Sequence, residues 1–247
     1  MSAESEGRTP KAAQTRAHIL QAALALFRER GYDGTTMRAV AQAAGVSVGN
    51  AYYHFESKEH LIQAYYDQVR DQLAEAAAPI LEEERTLRKR LLRVLETQLD
   101  IIEPHHEFAG ALFRTAADPS SPLSPFSPAS APVRQASTRL FTEVVDGSSA
   151  KVDPQLREEL PHLLWLYHMG IVLFWVHDRS PGAQRTRELV ERTVAVIDRL
   201  VKLARVPGLG PVVKQLVRIA HDMREFADAD TNDAAARVKA APSSAKP

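Results

Sequence analysis

The chain contains no cysteine in its 247 residues, so neither a disulfide framework nor a cysteine-based zinc site is available to it. It also lacks net charge, because 31 basic residues balance 31 acidic ones. That balance excludes a polycationic nucleic-acid coat but leaves room for a local basic face. Long hydrophobic runs are missing too. The most apolar stretch, Leu163 to Val176, is interrupted by His168 and stops at His177-Asp178, short of the roughly 20 residues that span a bilayer. The opening stretch MSAESEGRTPKAAQTR has no apolar segment of the kind a secretory signal needs. Neither strand alternation nor an internal repeat is visible. A soluble cytoplasmic protein without a membrane partner is the expectation.

What is present is helical periodicity. With 45% hydrophobic and 25% charged residues, the chain can bury a sizeable core in one or two domains. Thr9-Pro10 is a cap followed by proline, a favoured helix start. Ile19, Ala23, Leu26 and Phe27 then share one face, and Gly31 supplies a left-handed stop. After the Asp33-Gly34 turn, Thr35 or Thr36 caps a short helix whose inner face is Met37, Val40, Ala41 and Ala44. Gly45 breaks it, and Ser47 caps a third, very short helix to about Phe55. Ser57 caps a fourth that Pro79 kinks or ends. Further helices are predicted at 84–103, 105–117, 129–146, 154–178, 183–205 and 211–227. The segment DPSSPLSPFSPASAP (118–132), with five prolines and five serines, reads as a loop that cannot sustain a helix. VPGLGP (206–211) is a second breaker, and residues 228–247 have too little apolar content to fold.

The stretch GVSVGNAYYHFESKEHL (45–61) carries the chemistry. A short helix, a tight turn at Gly45 and another short helix make a helix-turn-helix. In that motif the first residues of the second helix meet base edges in the DNA major groove. Here they are Ser47, Val48, Gly49 and Asn50. A glycine inside a helix costs about 1 kcal/mol relative to alanine, and close approach to the groove floor accounts for it. Asn50 offers a donor and an acceptor to a base, and Val48 an apolar contact for a thymine methyl. Tyr52, Tyr53 and His54 supply donors for phosphate oxygens, although adjacent tyrosines point about 100° apart on a helix and one of them packing inward is an alternative. Thr35 and Thr36 sit at a helix start that a phosphate can also reach, and Thr36 as a plain cap is the other reading. Lys58, in the first turn of the next helix, suits a phosphate bound at that helix end. From Arg8 to Lys58 seven basic residues face three acidic ones, a basic head on a neutral chain.

Residues 13–62 resemble the DNA-binding domain of the TetR family of transcriptional regulators. The resemblance is carried by Ile19, Ala22, Leu26-Phe27, Gly31, Thr36, Val40-Ala41, Ala44-Gly45-Val46-Ser47, Tyr53-His54-Phe55, Lys58 and Leu61. Ala51 departs from the pattern, where a larger apolar residue is usual. The resemblance implies an all-α homodimer on a palindromic operator in double-stranded DNA, with a ligand-binding and dimerisation domain behind the head. The division expected is 10–56 for the helix-turn-helix domain, 57–80 for a connecting helix, 81–227 for the ligand-binding and dimerisation domain and 228–247 for a disordered tail.

In the C-terminal part, HLLWLYHMGIVLFWVHD (162–178) is apolar nearly all round and belongs at the centre of a bundle. His105, Phe108, Leu112, Phe113, Trp165, His168, Phe174 and Trp175 are candidate lining residues for a small lipophilic effector, and core residues on the blander reading. Leu189, Thr193, Val196, Leu200 and Ala204 form an apolar stripe suited to pairing with a second copy. No histidine pair has the spacing of a zinc-hydrolase motif, so no metal and no cofactor are expected. The function expected is a repressor that an effector releases from its operator. The rivals are an effector-independent DNA-binding protein of the same fold and an all-α enzyme using the histidines, for which no nucleophile or metal constellation is seen.

Overall fold

The computed structural model describes residues 10–204, with positions 215, 217–219 and 221–222. Every regular element among the described residues is helical. The order is α1 (Pro10–Arg30), α2 (Met37–Ala43), α3 (Val48–His54), α4 (Lys58–Glu83), α5 (Leu87–Ile102), α6 (His106–Ala116), α7 (Ala131–Asp146), α8 (Pro154–His177) and α9 (Gln184–Leu203). The Thr9 cap, the breaker at 206–211 and the tail from 228 lie outside the described residues. So does most of the predicted 211–227 helix, although its described positions are helical.

The helices of the N-terminal head pack as their spacing requires. Ile19, Ala23, Leu26 and Phe27 of α1 are buried, and so are Met37, Val40, Ala41 and Ala44. Ala51 and Phe55 complete this core from the third helix, each large apolar side chain contributing about 1.5–3 kcal/mol by leaving water. The same cluster reaches beyond the head: Phe108, Leu112 and Ala116 of α6, and Leu123 from the segment after it, are part of it. A second cluster unites α4, α5, α7, α8 and α9 into a bundle around Leu91, Val94, Leu99, Val144, Leu164, Val190 and Val194.

Two helices depart from expectation, α4 in its extent and α8, which has the expected extent, in being long and apolar enough to cross a membrane. Pro79 does not end α4, which runs on to Glu83. Proline removes the N–H that would bond the Glu75 carbonyl, but both residues lie on the solvent side, where water satisfies the freed group. The other is α8. Its 24 residues begin well before the apolar run, so by length and composition it is long and apolar enough to cross a membrane. Half of its most apolar window is buried against the bundle, as the core helix of a bundle would be.

Where α4 and α7 end, one buried side chain gathers both termini. The Arg90 guanidinium donates to the carbonyls of Leu81 and Glu84 (2.9 Å) at the end of α4. It also donates to those of Val144 (3.0 Å) and Glu143 (2.7 Å) near the end of α7. These carbonyls lie in the last turns, where a helix terminus leaves such groups without intrahelical partners, although that of Glu143 also accepts from the Gly147 amide at 3.1 Å. The cation also meets the negative ends of both helix dipoles.

Candidate nucleic-acid interface

Local capping fixes the α2–turn–α3 unit. The Thr36 hydroxyl accepts from the Ala39 amide at 3.2 Å, starting α2. Gly45 sits at φ +61°, a conformation that side-chain-bearing residues resist. It lets the Val46 amide return to the Ala41 carbonyl at 3.0 Å. The Ser47 hydroxyl then accepts from the Asn50 amide at 3.1 Å and starts α3.

With Ala51 and Phe55 turned inward, the opposite side of α3 faces solvent. Val48 is 38% exposed, Tyr52 49% and Tyr53 81%. Both tyrosines are therefore free of the core, and the reading in which one packs inward is not what the structure has. The Tyr53 and His54 rings meet edge to face at 5.1 Å. A side chain built on Gly49 would meet nothing within 4 Å, so no packing reason requires glycine there. Ser47, Val48, Gly49, Asn50, Tyr52 and Tyr53 thus share one accessible end and side of α3.

Two predicted contacts are placed differently. Thr35 is fully buried and its hydroxyl donates to the Gly31 carbonyl at 2.8 Å. It is a strut of the α1–α2 turn, and the exposed threonine at this corner is Thr36. Lys58 is half-buried, with its ammonium 4.3 Å above the Tyr32 ring and donating to the Tyr32 carbonyl at 2.8 Å. Tyr32 in turn donates to Glu59 at 2.7 Å, and burial together with that carboxylate holds its hydroxyl well above the usual tyrosine range. Lysine carries three N–H donors, so this anchor aims the side chain along the start of α4 and leaves donors for an anion. Ser57 occupies the cap position of α4, but its hydroxyl pairs with His60 Nδ1 at 3.1 Å and makes no cap bond. Tyr32 was missed in the sequence because its partners are 26 and 27 residues away.

The candidate effector residues are not gathered into one place. His105, Phe108 and Leu112 lie at the head: the His105 ring meets Tyr65 at 4.9 Å and Phe108 at 5.8 Å. Phe113 packs against the bundle core and meets His177 edge-on at 6.3 Å. Trp175 is buried, its indole N–H donating to Glu103 at 3.0 Å, while Phe174 beside it is exposed. Trp165 meets Phe126 and His162, and His168 meets Phe141. An open depression of about 240 Å³ lies elsewhere, between Thr86, Lys151, Asp198 and Lys202. Among the described residues no three His, Asp or Glu side chains cluster as a metal site would need.

His168 is the unusual member. It is buried, and neither ring nitrogen has a hydrogen-bond partner among the described residues. Burial pushes its pKa down to about 4, so the folded protein holds it neutral while the unfolded chain protonates near 6.5. Its contribution to stability is present above pH 6.5 and is lost as pH falls towards 4. Urea unfolding of the wild type is expected to show that decline. In His168→Leu the decline should be shallower, with no loss of stability at neutral pH. A large loss at neutral pH would mean that the imidazole is satisfied by a partner.

Comparison with known proteins agrees with this geometry. Residues 19–65 match the family model described as bacterial regulatory proteins, tetR family, and residues 90–223 match the tetracyclin repressor-like C-terminal domain. The HTH-type transcriptional repressor KstR2 of Mycobacterium tuberculosis is 33% identical over 91 residues, covering 37% of this chain and 46% of that protein. The HTH-type transcriptional regulator TtgR of Pseudomonas putida is 41% identical over 70 residues, 27% of this chain and 33% of its own. The chain therefore spans about half or less of the curated relatives it matches. In fold it is similar to a TetR transcriptional regulator from Nitrosomonas europaea, with a TM-score of 0.59 at 16% identity over 74% of this chain and 97% of that one. A tetR-family regulator from Streptomyces coelicolor superposes with a TM-score of 0.54 at 23% identity over 85% and 98%.

Proposed function

Because this chain belongs to the TetR family of bacterial regulatory proteins, we propose that it is a cytoplasmic transcriptional repressor. In this reading residues 10–56 form the DNA-binding head, 57–80 the connecting helix and 81–227 the effector-binding and dimerisation body. The observation that carries it is the exposed side of α3, where Val48, Tyr52 and Tyr53 stand in solvent around a glycine with open space above it. Val48, Gly49 and Asn50 enter the major groove, while Thr36, Tyr53, His54 and Lys58 hold phosphates along its edge.

The body is read as the seat of a small lipophilic effector and of the homodimer. An apolar effector that binds better to the DNA-incompetent arrangement weakens operator binding, and the operator weakens effector binding by the same factor. The dimer reading is supported by α9. Its Val190, Val194 and Val201 face the bundle, whereas Val196 is 50% and Leu200 56% exposed. Together with exposed Leu173 and Phe174 on α8 and Leu203, they leave an apolar stripe of the kind a second copy covers.

Selection of bound duplexes from a random DNA pool is expected to return a palindrome whose half-sites are about one helical turn apart or a multiple of it. Val196→Glu and Leu200→Glu are expected to sediment as monomers and to lose binding to the selected palindrome. Intact dimers for both variants would rule out this interface. A selection that enriches no sequence would count against the regulator reading itself.

A further inference from the structure

The segment between α6 and α7 is neither α-helix nor irregular loop, and it ends in a single 3-10 turn at Pro128–Ser130. Its sequence repeats serine every third residue, Ser121, Ser124, Ser127 and Ser130, with a proline after each of the first three. Each of these serine amides donates to the carbonyl three residues earlier, at 3.0–3.2 Å. The Ser121 and Ser124 hydroxyls accept from the amides of Leu123 and Phe126. The Ser127 hydroxyl donates to the Pro122 carbonyl at 2.8 Å. All four serines are buried. Prolines fix φ and lack a donor, and the serines satisfy the amides between them, so the result is a stiff ribbon of successive turns.

The ribbon touches both halves of the molecule. Leu123 is fully buried within the head cluster that holds Phe27, Phe55 and Leu61. One turn on, Phe126 lies edge-on against Trp165 of α8, ring centroids 5.5 Å apart. The intervening carbonyls are gripped by neighbouring helices. Gln63 of α4 donates to Pro122 at 2.8 Å, and Arg134 of α7 donates to Pro125 at 2.6 Å. We infer that this serine-proline ribbon is a mechanical link, through which a displacement of the Trp165 face of α8 moves Leu123 in the head and the Gln63 turn of α4.

The proposal rests on the regulator reading, in which an effector in the body alters the heads. Its stiffness is the physical basis: a flexible loop would absorb a push on Phe126, whereas a hydrogen-bonded ribbon clamped by Gln63 and Arg134 passes it on.

Hydrogen exchange of the purified full chain, without DNA or effector, tests the link by itself. Phe126→Ala is expected to speed exchange of head amides in α1 about 2- to 30-fold, the range by which residues of a coupled network alter one another. Val194→Ala in the bundle core, destabilising the body without touching the ribbon, should leave the head near wild type. Phe126→Ala and Leu123→Ala should be non-additive in a double-mutant cycle. If Leu123→Ala unfolds the head, Leu123→Val replaces it. Exchange changes confined to the ribbon and α8, additive effects, or an equal head response to Val194→Ala would overturn the link. Because no DNA is present, such a failure leaves the regulator reading standing. A responsive head in a protein that selects no operator would sustain the link and reject that reading.

Discussion

Gly49→Leu is expected to leave the free protein as stable as the wild type or more so, and to abolish operator binding. The stability half follows from two observations. A side chain at position 49 meets nothing within 4 Å, and replacing a helical glycine by leucine is favourable by roughly 0.5–1 kcal/mol. The binding half follows from where that space lies. On α3 it is beside Val48, Tyr52 and Tyr53 on the exposed side, the space a groove floor occupies when the helix docks. Leucine would hold the helix off the bases and remove the contacts of Val48 and Asn50 together, a loss of about a hundredfold or more in operator affinity. Melting and titration of the same samples separate the two effects. Normal operator binding by Gly49→Leu would mean that α3 does not enter the groove by this end.

The second large effect concerns stability, and its centre is Arg90. This side chain is 3% exposed and donates to carbonyls at two helix ends. Arg90→Met keeps much of the volume but removes the guanidinium donors from those carbonyls, of which that of Glu143 keeps the Gly147 amide, a cost of about 3–5 kcal/mol and roughly 10 °C in melting temperature. Gly147 faces the same group: a β-carbon there would overlap the guanidinium, with Cζ at 2.8 Å. The carbonyls hold that guanidinium in place, so Gly147→Ala should destabilise the wild type clearly and the Arg90→Met background much less. A Gly147→Ala penalty unchanged by Arg90→Met would show that the two residues do not conflict. Full stability in Arg90→Met would reject the clamp.

What could be read beforehand was local. Thr36, Gly45 and Ser47 act within three or four residues of themselves, so the limits of α2 and α3 followed from residue type and spacing. The buried faces of α1 and α2 followed from periodicity alone. Arg90, in contrast, looks like any charged residue of an amphipathic helix, because the carbonyls it serves at 143 and 144 arrive from another helix. Thr35 and Thr36 are equivalent as sequence, and only the packing of the α1–α2 turn decides that one points inward. The segment 118–132 reads as a loop, which holds up to Ser130, whereas Ala131 and Pro132 already begin α7. Its three-residue hydrogen-bond pattern and its docking on Gln63, Arg134 and Trp165 depend on contacts with three separate helices. The effector candidates failed to converge for a similar reason: apolar residues on α6 and α8 are alike in composition, but neighbours on α6 face different cores, and on α8 Trp175 is buried where Phe174 is exposed.

The most direct test of the central assignment is a paired titration of wild type and Asn50→Ala against the selected palindrome and against random duplex DNA. Asn50 lies on the accessible end of α3, and among the described residues only its backbone is engaged, by Ser47. If its side chain reads a base, Asn50→Ala loses about 1–3 kcal/mol on the palindrome and binds random DNA as the wild type does. Equal losses on both DNAs, or no loss on either, would contradict base reading by residues 47–50.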